Sequence, residues 1–254
     1  MDYSRRDFVE LLAAGTGSLL GCSSSSIFNE PGGGSARFSA RPGTPTGSVT
    51  PGLNRLGLEA SRDGLLYVPA SYVAGTPTPF LLALHGAGST AEGPINLMSS
   101  YAESHGFLLL SVDSSGLTWD AITFKYSYDV TFINTALQRS FERCSVNPAR
   151  VYMSGFSDGA TYGLGLGLAN GDLFSRVVAF SPGGIVPSDT SPNGRPEFFV
   201  SHGTQDPILP IELASRRIVK DLRDDGYTVE FVEFAGGHTI PAAIALQAVE
   251  WFLR

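Results

Sequence analysis

Val151-Tyr-Met-Ser-Gly155-Phe-Ser157-Asp-Gly159 is the stretch that decides the fold. Its first four residues, apolar and β-prone, read as a short strand. From Asp158 onward small and apolar residues read as a helix. Between strand and helix stands Gly-x-Ser-x-Gly. A turn of this kind holds the serine in a strained backbone conformation above the end of the strand, and a larger residue at either glycine would clash. The pentapeptide alone occurs by chance, and the strand–turn–helix setting is what makes Ser157 a candidate nucleophile.

The pattern on both sides fits the same architecture. Leu65–Pro69 follows a turn at Arg62-Asp-Gly64 and reads as a strand. Phe80–Leu84 and Phe107–Val112 are continuous apolar runs, expected of strands covered on both faces. A helix is expected near Ile95–Ser104. Another spans Asp129–Arg143, where Val130, Ile133, Leu137 and Phe141 share one face. Arg176–Phe180, Phe198–Ser201 and Thr228–Phe234 read as further strands. Ile211–Asp225 reads as a helix capped by Gly226, and a last helix begins near Pro241. Alternating strands and helices predict an α/β fold, a mostly parallel, doubly wound sheet with helices on both faces. Ligands in such a sheet bind in loops at the strand C-termini.

A serine hydroxyl needs a base to take its proton, and the base needs a carboxylate to fix its tautomer. At a turn of this type the order along the chain is serine, acid, histidine. Two histidines follow Ser157, and His238, in Ala235-Gly-Gly-His238-Thr, leaves room for an acid before it. Asp206 follows a strand by a short loop and is the expected acid. Asp221, Asp224 and Asp225 fall on a helix and read as a solvated face, while Asp172 and Asp189 are less well placed. His202 reads as a support of the acid-bearing loop. The loop His85-Gly86-Ala87-Gly88-Ser89 leaves an early strand, so the backbone N–H groups of Ala87 and Asp158 are the expected oxyanion donors. Trp119, Tyr126 and Tyr128 are candidates to line an acyl or aromatic pocket, with packing roles as the competing reading. Gly163-Leu-Gly-Leu-Gly lacks the Gly-x-Gly-x-x-Gly spacing of a dinucleotide loop and reads as close helix packing.

Composition bounds the function. With 43% hydrophobic residues in 254, one large domain is expected. A formal net charge of −7, without a basic stripe, gives no footprint for nucleic acid. None of the four histidines forms His-x-x-x-His, and the two cysteines, Cys22 and Cys144, form no Cys-x-x-Cys pair, so no metal and no other cofactor is expected.

The first 51 residues have a different character. Ser4-Arg-Arg-Asp-Phe8, followed by a short, weakly apolar run, resembles a twin-arginine export signal, and Leu19-Leu-Gly-Cys22 resembles a lipobox. Residues 1–21 are read as a lipoprotein signal peptide and Cys22 as the acylated residue. The expectation is a protein lipid-anchored in a bacterial cell envelope, with a soluble secreted or periplasmic form as the alternative. Residues 22–51 read as a flexible Ser/Gly/Pro-rich linker. Residues 52–254 are read as the catalytic domain. Cys144, at a helix end, is read as a buried inert thiol.

Taken together, Leu84-His-Gly-Ala-Gly88, Gly155-Phe-Ser-Asp-Gly159, His202-Gly-Thr-Gln-Asp206-Pro and Gly237-His238 resemble the polyhydroxybutyrate depolymerase and feruloyl-esterase-like branch of the α/β-hydrolases. Asn147-Pro-Ala-Arg-Val-Tyr152 and Tyr67-Val-Pro69 fit as well, so the likeness covers roughly residues 60–254. It implies a serine ester hydrolase with Ser157, Asp206 and His238 as the triad. Small carboxylesterases and phospholipase-like relatives share the same signatures. The branch often carries extra cysteines near the site and a C-terminal polymer-binding module. This chain shows neither, which counts against polymer degradation. Only 25 residues separate Phe180 from Asp206, too few for an inserted lid, so the expectation is an open site suited to short-chain or aryl esters, with polyester or feruloyl-type esters as further candidates. The competing classes are a serine peptidase on the same fold and a noncatalytic envelope-binding lipoprotein.

Overall fold

The computed structural model describes residues 34–254. Eight strands form one sheet: β1 (Gly52–Arg55), β2 (Gly64–Val68), β3 (Thr78–Leu84), β4 (Leu108–Val112), β5 (Val146–Phe156), β6 (Arg176–Phe180), β7 (Glu197–Gly203) and β8 (Val229–Phe234). Their spatial order is β1-β2-β4-β3-β5-β6-β7-β8. The β1/β2 and β2/β4 pairs are antiparallel, and every pair from β4 to β8 is parallel. Helices α1 (Glu92–His105), α2 (Asp120–Thr123), α3 (Tyr128–Arg143), α4 (Asp158–Ala169), α5 (Ser215–Asp224) and α6 (Ala242–Leu253) complete the described residues.

The apolar runs behave as expected of strands covered on both faces. All of β4 is buried, and Phe80, Leu82 and Leu84 of β3 face one core while Leu81 and Ala83 face the other. One core packs α3, α4 and α5, and the other packs α1 and α6. Gly226 ends α5 with a φ of +80°, a backbone conformation that suits glycine. The α5 helix starts at Ser215, later than the sequence pattern indicates, because residues 211–214 close as a turn. The edge strand β1 has no apolar run and its burial alternates weakly, so the sequence carried little signal for it.

Residues 34–51 differ from the expected flexible linker. Phe38 is 1% exposed and meets Phe174 edge-on, with ring centroids 6.1 Å apart. Its backbone N–H donates to Asn170 Oδ1, and Asn170 Nδ2 donates back to Ala36 O. Arg37 and Arg41 both reach Asp172, and the Ala40 N–H donates to Asn134 Oδ1. Small and polar composition does not exclude docking when one aromatic ring finds a pocket and the backbone finds partners. Residues 1–33, with the twin-arginine pair and Cys22, lie outside the described residues. Cys144 is a free, buried thiol, and burial pushes it up to about 12. Among the described residues, no helix is long and apolar enough to cross a membrane, and no group of His, Cys, Asp or Glu is placed to hold a metal ion.

Candidate active site

Ser157 stands at the junction of β5 and α4 with φ 53° and ψ −117°. A non-glycine residue there is strained and needs its surroundings to hold it. They do so through hydrogen bonds and close packing. The Ser157 N–H donates to Phe180 O at the end of β6, and Ser157 O accepts from Thr161 N–H and its hydroxyl. A methyl group on Gly155 would lie 2.2 Å from Gly159 O, and one on Gly159 would lie 2.4 Å from His85 O. Neither contact is tolerable, so both glycines of the turn are dictated by close backbone approach. The second contact also shows that the first turn of α4 rests directly on the loop leaving β3.

His238 lies in the loop after β8. Its Nε2 is 2.8 Å from Ser157 Oγ, and its Nδ1 is 2.6 Å from Asp206 Oδ2. With the carboxylate fixing the proton on Nδ1, Nε2 is free to accept from the serine hydroxyl. The Phe156 ring packs against the imidazole, with centroids 4.8 Å apart. Asp206 follows β7, and its side chain is fully buried. Burial alone would raise its pKa. Hydrogen bonds from His202, His238 and the N–H groups of Leu209 and Ile208 outweigh that and hold the carboxyl well below the usual carboxylate range. Asp206 is therefore ionised and ready to face an imidazolium.

The loop His85–Ser89 flanks the serine from the β3 side. A methyl on Gly86 would lie 3.4 Å from Ser157 Cβ. The imidazole of His85 is buried. Burial pushes its pKa down and favours the neutral ring. Its Nδ1 donates to Gly86 O at 2.8 Å, and its Nε2 accepts from Ser114 N–H at 3.1 Å. The carbonyl of Gly86 and the N–H of Ala87 belong to one planar peptide and point in opposite directions. Pinning that carbonyl therefore aims the Ala87 N–H away from His85. Ser89 N–H adds a second bond to Gly86 O, and Gly88 N–H donates to Leu117 O. Asp158 N–H begins α4 and has no acceptor within the helix.

The sequence reading missed what secures the neighbouring 113–120 loop. Asp129, fully buried, accepts from Ser115 N–H, the Ser115 hydroxyl and Asp120 N–H, and pairs with Arg62 at 2.7 Å. No local pattern marks Asp129, because its partners come from the 113–120 loop and from Arg62, 67 residues away. Asp158 turns its carboxyl to the Thr118 hydroxyl, and burial raises its pKa. The pocket role considered for Trp119 and Tyr126 does not hold. Trp119 is 0% and Tyr126 2% exposed. Trp119 stacks on Tyr162 and donates from Nε1 to His85 O, while the Tyr126 hydroxyl donates to Val186 O. Both rings are core. Tyr128 is exposed, as are Leu117, whose side chain lies beside Gly88, and Ile208, two residues from Asp206. Between β6 and β7 runs a short irregular loop with no inserted domain.

A family model described as phospholipase/carboxylesterase matches residues 125–254, just over half of the 254-residue chain. The chain belongs to the phospholipase/carboxylesterase family. It is thus a carboxylic ester hydrolase of the α/β-hydrolase fold, and the match takes in Ser157, Asp206 and His238. Solved structures agree on the fold. The Bacillus cereus carboxylesterase superposes with a TM-score of 0.60 at 18% identity, covering 78% of this chain and 96% of the other. Esterase PE8 gives 0.58 at 21% identity, covering 76% and 98%. A ferulic acid esterase from Anaeromyces mucronatus, solved with ferulic acid, gives 0.59 at 17% identity, covering 79% and 89%. No curated protein matches the sequence.

Proposed function

We propose that this family member hydrolyses short-chain or aryl carboxylic esters through an acyl-enzyme formed on Ser157. The observation that carries the reading is the unbroken hydrogen-bond chain from Ser157 Oγ through His238 to Asp206, with separations of 2.8 and 2.6 Å. As Ser157 Oγ bonds to the ester carbon, its proton passes to His238 Nε2. The carbonyl π pair moves onto oxygen, where the Ala87 and Asp158 N–H groups receive it. Asp206 stays ionised and stabilises the imidazolium. The tetrahedral species collapses, the C–O bond to the alcohol breaks, and His238 protonates the leaving oxygen. Water then repeats the sequence on the acyl-enzyme, with His238 as base and Ser157 as leaving group.

Two features support a small or flat substrate. No domain is inserted between β6 and β7 to cover a long acyl chain, and Leu117 and Ile208 offer apolar surface beside the site. The test is hydrolysis of p-nitrophenyl esters from acetate to palmitate by residues 34–254 and by the Ser157→Ala variant. Activity should peak at short chains and vanish in the variant, with a fluorophosphonate labelling only the serine-bearing form. Preference for palmitate would overturn the substrate class, and activity in the variant would overturn the nucleophile. We also propose export by the twin-arginine route and a lipid anchor on Cys22, on the strength of Arg5-Arg6 and Leu19-Leu-Gly-Cys22. Incorporation of labelled palmitate that survives Cys22→Ser would refute the anchor.

A further inference from the structure

His202 closes β7 and is fully buried. Its Nε2 lies 2.8 Å from Leu209 O. A carbonyl only accepts, so Nε2 carries a proton. The same nitrogen lies 3.2 Å from Asp206 Oδ2, so its one N–H is shared between the carbonyl, which it meets more closely, and the carboxylate. On the other side of the ring, Nδ1 is 2.6 Å from Ser215 Oγ, at the start of α5, which donates to it when the ring is neutral. Asp206 Oδ2 is the oxygen that His238 Nδ1 also binds, while Oδ1 is taken by the N–H groups of Ile208 and Leu209. Two imidazoles therefore converge on one carboxylate oxygen, one buried in the core and one facing the nucleophile.

We infer that His202 is a positioning residue for the ester-hydrolysing site, which through its Nε2–H on Asp206 Oδ2 withdraws charge from the oxygen facing His238 and so tunes the strength of the base. The inference rests on the assignment of Ser157, His238 and Asp206 above. Two donors sharing one acceptor oxygen compete, and each weakens the other's bond. With the His202 donor in place, Asp206 attracts the proton of an imidazolium less than a singly bonded carboxylate would. His238 then stays neutral, and able to act as a base, to lower pH. Removing the donor returns charge density to the His238 side and favours the imidazolium. The acid limb of kcat/KM then moves to higher pH.

Other charged groups face this cluster. Asp158, at the start of α4, lies close enough to His238 to interact with it, and Glu233 of β8 does the same with His202. Glu233 is paired with Arg216 of α5 at 2.7 Å. All of them persist in variants at position 202, so a comparison among such variants isolates the His202 contact.

Asparagine and glutamine separate the two ends of the ring. The amide of His202→Asn sits where Nδ1 does, keeps Ser215 in reach and stops short of Asp206. The amide of His202→Gln extends to the Nε2 position and keeps a donor on Asp206. The acid limb should rise by about half to one pH unit in His202→Asn and stay in place in His202→Gln. A merely structural role would lower kcat at all pH values without moving the limb. Unmoved limbs in both variants, or equal shifts in both, would overturn the inference. NMR of the unmodified protein gives a second reading that needs no variant to fold. As His238 is protonated and its bond to Oδ2 tightens, the downfield His202 Nε2–H resonance should move upfield. A resonance that ignores the His238 titration would equally overturn it. Failure of the triad assignment itself is distinguishable, because it shows as hydrolysis surviving in Ser157→Ala.

Discussion

Replacing His85 with leucine tests whether the imidazole aims the oxyanion peptide. Gly86 O is held by two donors, His85 Nδ1 at 2.8 Å and Ser89 N–H at 3.2 Å. The variant removes the shorter bond and leaves the peptide able to tilt about the longer one. Complete loss of an oxyanion donor costs on the order of 10²–10³ in rate. Loosening one of the two donors to the oxyanion should cost less, about 10- to 100-fold in kcat, or roughly 1.4–2.7 kcal/mol of transition-state stabilisation. KM for p-nitrophenyl butyrate should hardly change, because a planar carbonyl makes little use of the hole. A trifluoromethyl ketone, which forms a tetrahedral oxyanion on a reactive serine, should bind more weakly by the same factor. His85→Asn, whose amide N–H sits near the Nδ1 position, should recover much of the loss. The variant also deprives Ser114 N–H of its acceptor, which costs about 1–3 kcal/mol of stability. Thermal melts report that cost separately, and the match between kcat and inhibitor affinity is independent of it. A fall in kcat with unchanged inhibitor affinity, or a rise in KM with unchanged kcat, would refute the reasoning.

Phe38→Ala should lower stability by about 3 kcal/mol, since the ring is buried against Phe174. In a domain of this size that is roughly 6–12 °C in melting temperature, with hydrolysis at 25 °C nearly unchanged; an unshifted melt would restore the linker reading. Gly159→Ala should abolish hydrolysis, because its methyl would meet His85 O and force the oxyanion loop away from Ser157; more than a tenth of the parent activity in a folded variant would contradict the close packing. Asp206 is depressed in the folded state, so its contribution to stability is present above the usual carboxylate range and is lost progressively as pH falls from that range toward the depressed folded value. Asp158 and Asp120 are raised by burial and act in the opposite sense, losing stability as pH rises. Urea midpoints should therefore fall less steeply between pH 5 and pH 3 in Asp206→Asn than in the parent, and parallel slopes would count against the linkage.

The core strands were legible because they are covered on both faces and cannot avoid long apolar runs, as Phe80–Leu84 shows. The serine turn was legible because close packing leaves only glycine at positions 155 and 159. That Asp206 and His238 meet Ser157 could be expected from their order along the chain and from the strands they follow. Three things were not legible, each for a reason of distance. Docking of Phe38 depends on Phe174 and Asn170, more than 130 residues away, and a Gly/Pro-rich stretch gives no hint of it. The work of Asp129 depends on Arg62 and Ser115. The burial of Trp119 and Tyr126 depends on Tyr162, whose ring lies against both. An aromatic near a catalytic loop looks the same in sequence whether it faces substrate or core.

Strand order explains why the base lies on so long an excursion. β5, which carries Ser157, is separated from β7 by one strand and from β8 by two. Neighbouring strands are about 4.8 Å apart, so the end of β8 lies some 14 Å from the nucleophile. Asp206, after β7, is nearer, but a carboxylate cannot replace the imidazole that must bridge it to the serine. The chain leaving Phe234 has to turn back over the end of β7 before His238 can reach both partners. That return path runs across Gly203, where a methyl group would lie 2.4 Å from Gly236 O and from Gly237 O. Two hydrogen bonds clamp the crossing: Thr204 N–H donates to Phe234 O, and Gln205 N–H donates to Gly236 O. The acid loop and the base loop are thus one interlocked unit, and the 2.6 Å contact between Asp206 and His238 follows from backbone packing before either side chain is considered.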